Sequence, residues 1–251
     1  CLNAASGAMN WQTDVNTLVG ANGSDNFMSI VYQNGLLYTT GFANVGVTFD
    51  DATLYCLNAS NGTIQWGRNI SFLSVHNANA SLVGDNVPLQ IYVNGNTFLL
   101  AGVTQNNFGA SQSQTSFALR GQFTTTGGLV NLQGFSYRSP ILANTYENHT
   151  RILPTDATLS NFYLTQSPGT ALSGSPVDVS VANPRDSKIS LINGMNTLVW
   201  SRQFVDSGQQ GIFSMIQNGT DLTLAGNSLN SPYSIGASTV RDRYVIETPL
   251  P

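Results

Sequence analysis

The segment Cys1-Leu2-Asn3-Ala4-Ala5-Ser6-Gly7-Ala8-Met9-Asn10-Trp11 recurs as Cys56-Leu57-Asn58-Ala59-Ser60-Asn61-Gly62-Thr63-Ile64-Gln65-Trp66. The shared core, A-x-x-G-x-x-x-W, describes a hairpin: a strand, a turn whose glycine accepts a left-handed φ, and a returning strand with a large ring to bury. Two weaker copies follow. Segment 125–132 keeps a glycine and carries Leu132 in the tryptophan place, while segment 193–200 keeps Trp200 and carries Asn196 at the glycine place. The anchors Trp11, Trp66, Leu132 and Trp200 are 55, 66 and 68 residues apart. A period of this size points to stacked copies of one supersecondary unit.

A second family of hairpins runs in phase with the first. Alternating runs flank Asn34-Gly35, Asn94-Gly95 and Asn218-Gly219, and segment 159–164 holds the corresponding place without a glycine, around Asn161. Two hairpins per unit give four strands, which is the content of a propeller blade. The expectation is an all-β, propeller-like domain of about four four-stranded blades; a β-sandwich or a stack of antiparallel sheets is the alternative. The units fall at 16–70, 71–138, 139–204 and 205–251, the last completed by residues 1–15. From Trp200 round to Trp11 is 62 residues, one more repeat, so a four-bladed ring fits this count. One place has two candidates, because Cys1–Ala4 and segment 240–248 both read as a third strand. A surplus strand must be paired, capped or donated to a neighbouring subunit.

The phrase Leu54-Tyr55-Cys56-Leu57-Asn58-Ala59, with Gly62 and Trp66, resembles the quinoprotein-type, or PQQ-like, β-propeller repeat. The match is close at two copies and degraded at two. The resemblance implies a ring larger than four blades in the family's enzymes, with a tryptophan platform and acidic calcium ligands for a quinone. Trp11, Trp66 and Trp200 sit instead in blade-motif positions and read as packing between blades. A fragment of a longer chain and a divergent small ring both remain open.

Chemistry-bearing residues are scarce. The chain has nine basic and thirteen acidic side chains among 251 residues, and asparagine alone, at 27, outnumbers them together. A net charge of −4 gives no electrostatic footprint for nucleic acid or an anionic membrane. No apolar run reaches the length of a membrane-spanning helix. The two glutamates, Glu147 and Glu247, are a hundred residues apart, far from the paired carboxylates of a hydrolase. Asp50-Asp51 is the only acidic doublet, read as a loop cap rather than a calcium site. His76 and His149 have no partner at ligand spacing. The expectation is therefore no enzyme, no catalytic residue, no cofactor and no metal.

Asn22, Asn58, Asn61, Asn69, Asn79, Asn148 and Asn218 each open an N-x-[ST] glycan acceptor. About five are expected by chance at this composition, so their clustering between Asn58 and Asn79 says more than their number. Cys1 and Cys56 are equivalent in successive units, where Cα atoms usually lie beyond the roughly 7 Å that a disulfide tolerates. A Cys1–Cys56 bridge and two free buried thiols both stand as readings. A surface solubilised by amides, hydroxyls and sugar suits an extracellular or cell-surface protein. The expected function is a non-enzymatic glycoprotein with a structural or adhesive role, associating with itself or with other surface proteins. A filament or surface array built by strand exchange would fit. The alternatives are a PQQ-like scaffold or lipoprotein for protein assembly, with Cys1 as lipid anchor, and a fragment of a larger quinoprotein-like enzyme.

Overall fold

A computed structural model describes residues 1–15, 26–44, 50–70, 84–108, 111–138, 150–166, 187–204, 210–228 and 242–249. These fold into four antiparallel meanders. Sheet one comprises β1 (Asn26–Gln33), β2 (Leu36–Asn44), β3 (Asp50–Asn58) and β4 (Ile64–Ile70); sheet two comprises β5 (Gly84–Asn94), β6 (Thr97–Phe108), β7 (Ser111–Phe123) and β8 (Leu129–Arg138). Sheet three holds β9 (Arg151–Pro154), β10 (Phe162–Gln166), β11 (Ser187–Asn193) and β12 (Thr197–Phe204); sheet four holds β13 (Gln210–Asn218), β14 (Asp221–Ser228) and β15 (Asp242–Pro249). Each sheet is ordered as its strands occur in the chain, and the sheets stack face to face in series. The chain is all-β and propeller-like.

The sheets stack because their inner strands are apolar on both faces. In β6, Phe98 and Leu100 face a core shared with Tyr38, Leu54 and Cys56 of sheet one, while Leu99 and Ala101 face one shared with Ile152, Phe162 and Leu164 of sheet three. All four of these β6 residues are fully buried. Hence the run Phe98-Leu99-Leu100-Ala101 is continuously apolar rather than alternating, as a strand covered on both sides must be. Sheets three and four meet through Tyr163, Ile189, Ile212, Leu222 and Leu224.

The turns follow the expected chemistry with one shift in register. At Asn34-Gly35 both loop residues have positive φ, 51° and 80°, as a type I′ hairpin requires. In the other two Asn-Gly pairs the asparagine ends its strand, and Gly95 and Gly219 open the two-residue loops at φ 61° and 62°. The hairpin around Asn161 is wider, with a loop from 155 to 161 gathered on Asp156. Its carboxylate accepts hydrogen bonds from Thr158 Oγ1, Ser160 N and Asn161 N.

Two expectations are corrected. Asn196 does not take the left-handed place of the fourth motif; Gly194 and Met195 do, at φ 58° and 73°. Met195 is driven there by burial, 1% exposed in the core between sheets two and three. Residues 1–15 do not complete the last unit either. Among the described residues sheet four has three strands, and the N-terminal segment folds back on itself and onto sheet one.

A feature the sequence reading missed recurs in three sheets. The first strand bulges between Phe27 and Ser29, between Pro88 and Gln90, and between Ile212 and Ser214. Opposite stand Gly41, Gly102 and Gly226. A Cβ on Gly41 would lie 2.8 Å from the carbonyl carbon of Asn26, and one on Gly102 2.6 Å from the Cα of Pro88. The bulge presses backbone onto backbone, and only glycine leaves room for it.

Candidate functional site

The N-terminal segment rebuilds the backbone hydrogen bonds of the hairpin of sheet one. Asn3 N donates to Ala8 O and Gly7 N to Asn3 O, as Asn58 N does to Thr63 O and Gly62 N to Asn58 O, all at 2.8 Å. Asn3 Oδ1 accepts from Ala5 N and Ser6 N, and Asn58 Oδ1 from Ser60 N and Ser60 Oγ. The repeated sequence is therefore a repeated structure, with Leu2 bridged to Met9 as Leu57 is paired with Ile64.

Each tryptophan of these two hairpins lies on the glycine of the next. Trp11 donates Nε1–H to Ala59 O at 3.2 Å, Thr13 donates Oγ1–H to Gly62 O at 2.6 Å, and a Cβ on Gly62 would sit 2.7 Å from Trp11 Cδ2. Trp66 covers Gly127 likewise, with 2.6 Å between Trp66 Cδ1 and a Cβ placed there. At φ 73° and 74°, these glycines are required twice over, by backbone angle and by the ring above. The series then stops. Leu132 packs on Gly121 of its own sheet, and a Cβ on Gly194 would meet, among the described residues, nothing nearer than Asn196 Oδ1 at 4.0 Å. Trp200 rests against Tyr163, with centroids 5.9 Å apart.

Beside Trp11 the outer face of sheet one opens into a cleft of about 490 Å³, lined by Cys1, Trp11, Val15, Phe27, Ile30 and Leu37 among others. Among the described residues no charged side chain lines it. Phe27, Met28, Ile30 and Tyr32 on β1 are 42–65% exposed, an apolar stripe of the kind that marks a contact surface.

First strands also touch one another along the stack. Ile91 N donates to Ser29 Oγ at 3.2 Å, Ile152 N to Gln90 Oε1 at 2.9 Å, and Arg151 Nε to Phe213 O at 2.9 Å. Ser29, Gln90 and Arg151 are spaced by 61 residues. The spacing was available in the sequence, but three unlike side chains give no self-similarity to find. Burial lowers the Arg151 pKa and raises that of Tyr92 beside it, each charge partly opposing the other's shift.

Of the glycan acceptors, Asn61 and Asn218 are exposed at hairpin tips, Asn58 and Asn69 are half-buried, and Asn22, Asn79 and Asn148 lie outside the described residues. Cys1 and Cys56 are both free, which corrects the bridge; Cys1 is exposed, so the reading of two buried thiols fails for it as well. Burial pushes the Cys56 thiol up to about 11, against the effect of its hydrogen bond with Tyr38, so it stays protonated at neutral pH. Asp50-Asp51 begins β3 and Glu247 lies in β15, while His76, His149 and Glu147 lie outside the described residues. Among the described residues no three of His, Cys, Asp and Glu converge, and no helix is long and apolar enough to cross a membrane.

No family model and no curated protein matches the chain. Solved structures do. A Bombyx mori GH32 β-fructofuranosidase mutant in complex with sucrose is 11% identical over 87% of this chain and 47% of its own, at a TM-score of 0.39. A subtype N11 neuraminidase-like protein of A/flat-faced bat/Peru is 10% identical over 90% of this chain and 61% of its own, at 0.43. An ACO/RPE65 chimera is 10% identical over 88% and 48%, at 0.38. The chain thus spans about half to three-fifths of these proteins. They are propeller-type folds, but the propeller-like assignment rests on the four stacked sheets themselves.

Proposed function

We propose that this chain is a non-enzymatic structural or adhesive module of an extracellular or cell-surface glycoprotein, one that holds to copies of itself or to other surface proteins. The observation that carries the reading is that, among the described residues, the first and last sheets of the row each present an exposed apolar face. Sheet one presents an apolar cleft, and among the described residues β15 lies at an edge of sheet four with β14 on its other side. Open apolar faces and strand edges are what binding surfaces are made of. The composition supports the same reading, because amides and hydroxyls outnumber charges and Asn61 and Asn218 offer exposed attachment points for sugar.

The stacking of Trp11 on Gly62 and of Trp66 on Gly127 supports reading the repeat as a degenerate quinoprotein-type one that keeps the packing residues without a cofactor site. Intact-mass measurement and glycopeptide mapping of protein from its native host test the proposal. Glycan on Asn61, on material recovered at the cell surface or outside the cell, is the expected result. Unmodified protein confined to the cytoplasm would overturn it.

A further inference from the structure

The internal repeat indicates what fits each open end. Ser29, Gln90, Arg151 and Ser214 hold one repeat position, opposite Thr40, Ala101, Thr165 and Ala225 on their second strands. The first three each bond to the first strand of the next sheet. The fourth, Ser214, is exposed at the free end. At the other end, Ile30 holds the position of Ile91 and Ile152, whose N–H groups receive this attention from the preceding sheet, and Ile30 is 62% exposed. Ser214 and Ile30 are thus the same residue types, at the same positions, as the Ser29–Ile91 pair already bonded inside the molecule.

The faces agree with the positions. Ile216 corresponds to Val31, which packs into the core between sheets one and two. Ile216 stays apolar at 62% exposure, and Val245 on the same face is 73% exposed. The hairpin tips agree too: Gln33 bonds to Gly95 and Asn94 to Ala157 of the following sheet, and Asn218 is their counterpart at the free end.

We propose that the outer face of sheet four of one copy seats in the cleft on sheet one of a second copy, head to tail, continuing the stacking between sheets one to four. This rests on the functional reading above and names its partner. Trp11, already docked on Gly62, belongs to a fourth strand, and β15 is a third strand with no strand on its far side among the described residues. Met9–Trp11 of the second copy therefore adds to β15, with Trp11 across from Glu247 as Trp66 is across from Cys56. Cys1–Asn3, the other claimant to the third-strand place, is released; its pairing rests on one bridge and a few turn bonds. The contact joins different surfaces, so it passes from copy to copy, giving a ring where the rotation closes and an open chain where it does not.

The test is light scattering and sedimentation of the full chain between about 1 and 100 µM, expressed without glycans because Asn218 lies at the contact. The expected result is association that grows with concentration. Ile30→Asp blocks one face and Ile216→Asp the other, so each variant alone is weakened by about tenfold or more. A mixture of the two, each with one intact face, forms dimers and nothing larger. Removing residues 1–3 tightens association. Circular dichroism and melting of each variant separate loss of the contact from loss of the fold. Monomers throughout, including without residues 1–3, or association indifferent to both substitutions, would overturn the proposal. Either outcome leaves the glycan and location measurements untouched, so this inference and the broader reading fail separately.

Discussion

Sheets one and two meet across Trp66 seated on Gly127, with Tyr38, Phe98 and Phe123 stacked behind it at centroid distances of 4.9–5.1 Å. Sheets two and three meet without a docked tryptophan. There the Asp156 loop accepts Asn94 Nδ2 on Ala157 O and Arg120 Nε on Thr158 O, and Met195 fills the core from a left-handed backbone. The first junction is a large-area aromatic contact that needs glycine on the facing turn. The second is a smaller, mostly aliphatic core around Phe162, rimmed by hydrogen bonds to loop carbonyls. One repeat therefore tolerates two chemistries at its interfaces, provided that both faces of the inner strands remain apolar.

The largest effects should come from β6, whose neighbouring side chains serve opposite junctions. Phe98→Ala should cost about 3–5 kcal/mol and Leu99→Ala about 2–5 kcal/mol, read by urea unfolding. If the aromatic junction dominates, Phe98→Ala is the more damaging; the reverse order breaks the comparison. Gly127→Ala should cost about 2–3 kcal/mol, combining positive φ with displacement of the Trp66 ring. Gly194→Ala, with no ring above it, should cost only about 1 kcal/mol. A Trp66→Leu background sharpens this pair, because Gly127→Ala should lose much of its cost there and Gly194→Ala none; a double-mutant cycle measures the coupling.

The smallest effect concerns the rim of the second junction. Partial burial pushes the Asp156 carboxyl up, but hydrogen bonds from Thr158, Ser160 and Asn161 outweigh it and hold the carboxyl below its ordinary range. A folded-state pKa below the unfolded one contributes stability that is present above the unfolded value and is lost as pH falls through the folded one. Asp156→Ala should therefore cost about 1 kcal/mol at neutral pH. The gap from the parent protein should close as the pH falls below the ordinary carboxylate range, measured by thermal melts across pH. A constant gap would mean that the loop is held by something other than the carboxylate.

The hairpins were legible because their chemistry is local. Asn34-Gly35 and the Asn58–Thr63 turn declare themselves within a few residues, and Trp11 and Trp66 mark the period. What could not be read was set by neighbours distant in the chain. Phe98–Ala101 has no alternation because sheets on both sides bury it. Met195 is left-handed because a core draws its side chain inward. The bulge against Gly41, Gly102 and Gly226 shows in sequence only as a small residue in a strand, and the backbone it makes room for belongs to another strand. The cleft was invisible for a further reason: it is lined by residues of the N-terminal segment and of β1 to β3 that are scattered over nearly sixty positions.

The meander within each sheet has a mechanical consequence. Every strand pairs with its sequence neighbour, so a sheet pulled from its ends unzips without disturbing pairing in the others. Sheet one spans 45 residues from Asn26 to Ile70, and releasing them lengthens the chain by about 150 Å at roughly 3.4 Å per residue. A tether made of such sheets would yield under load in separate steps of that order, absorbing work at each one while the remaining sheets keep their grip.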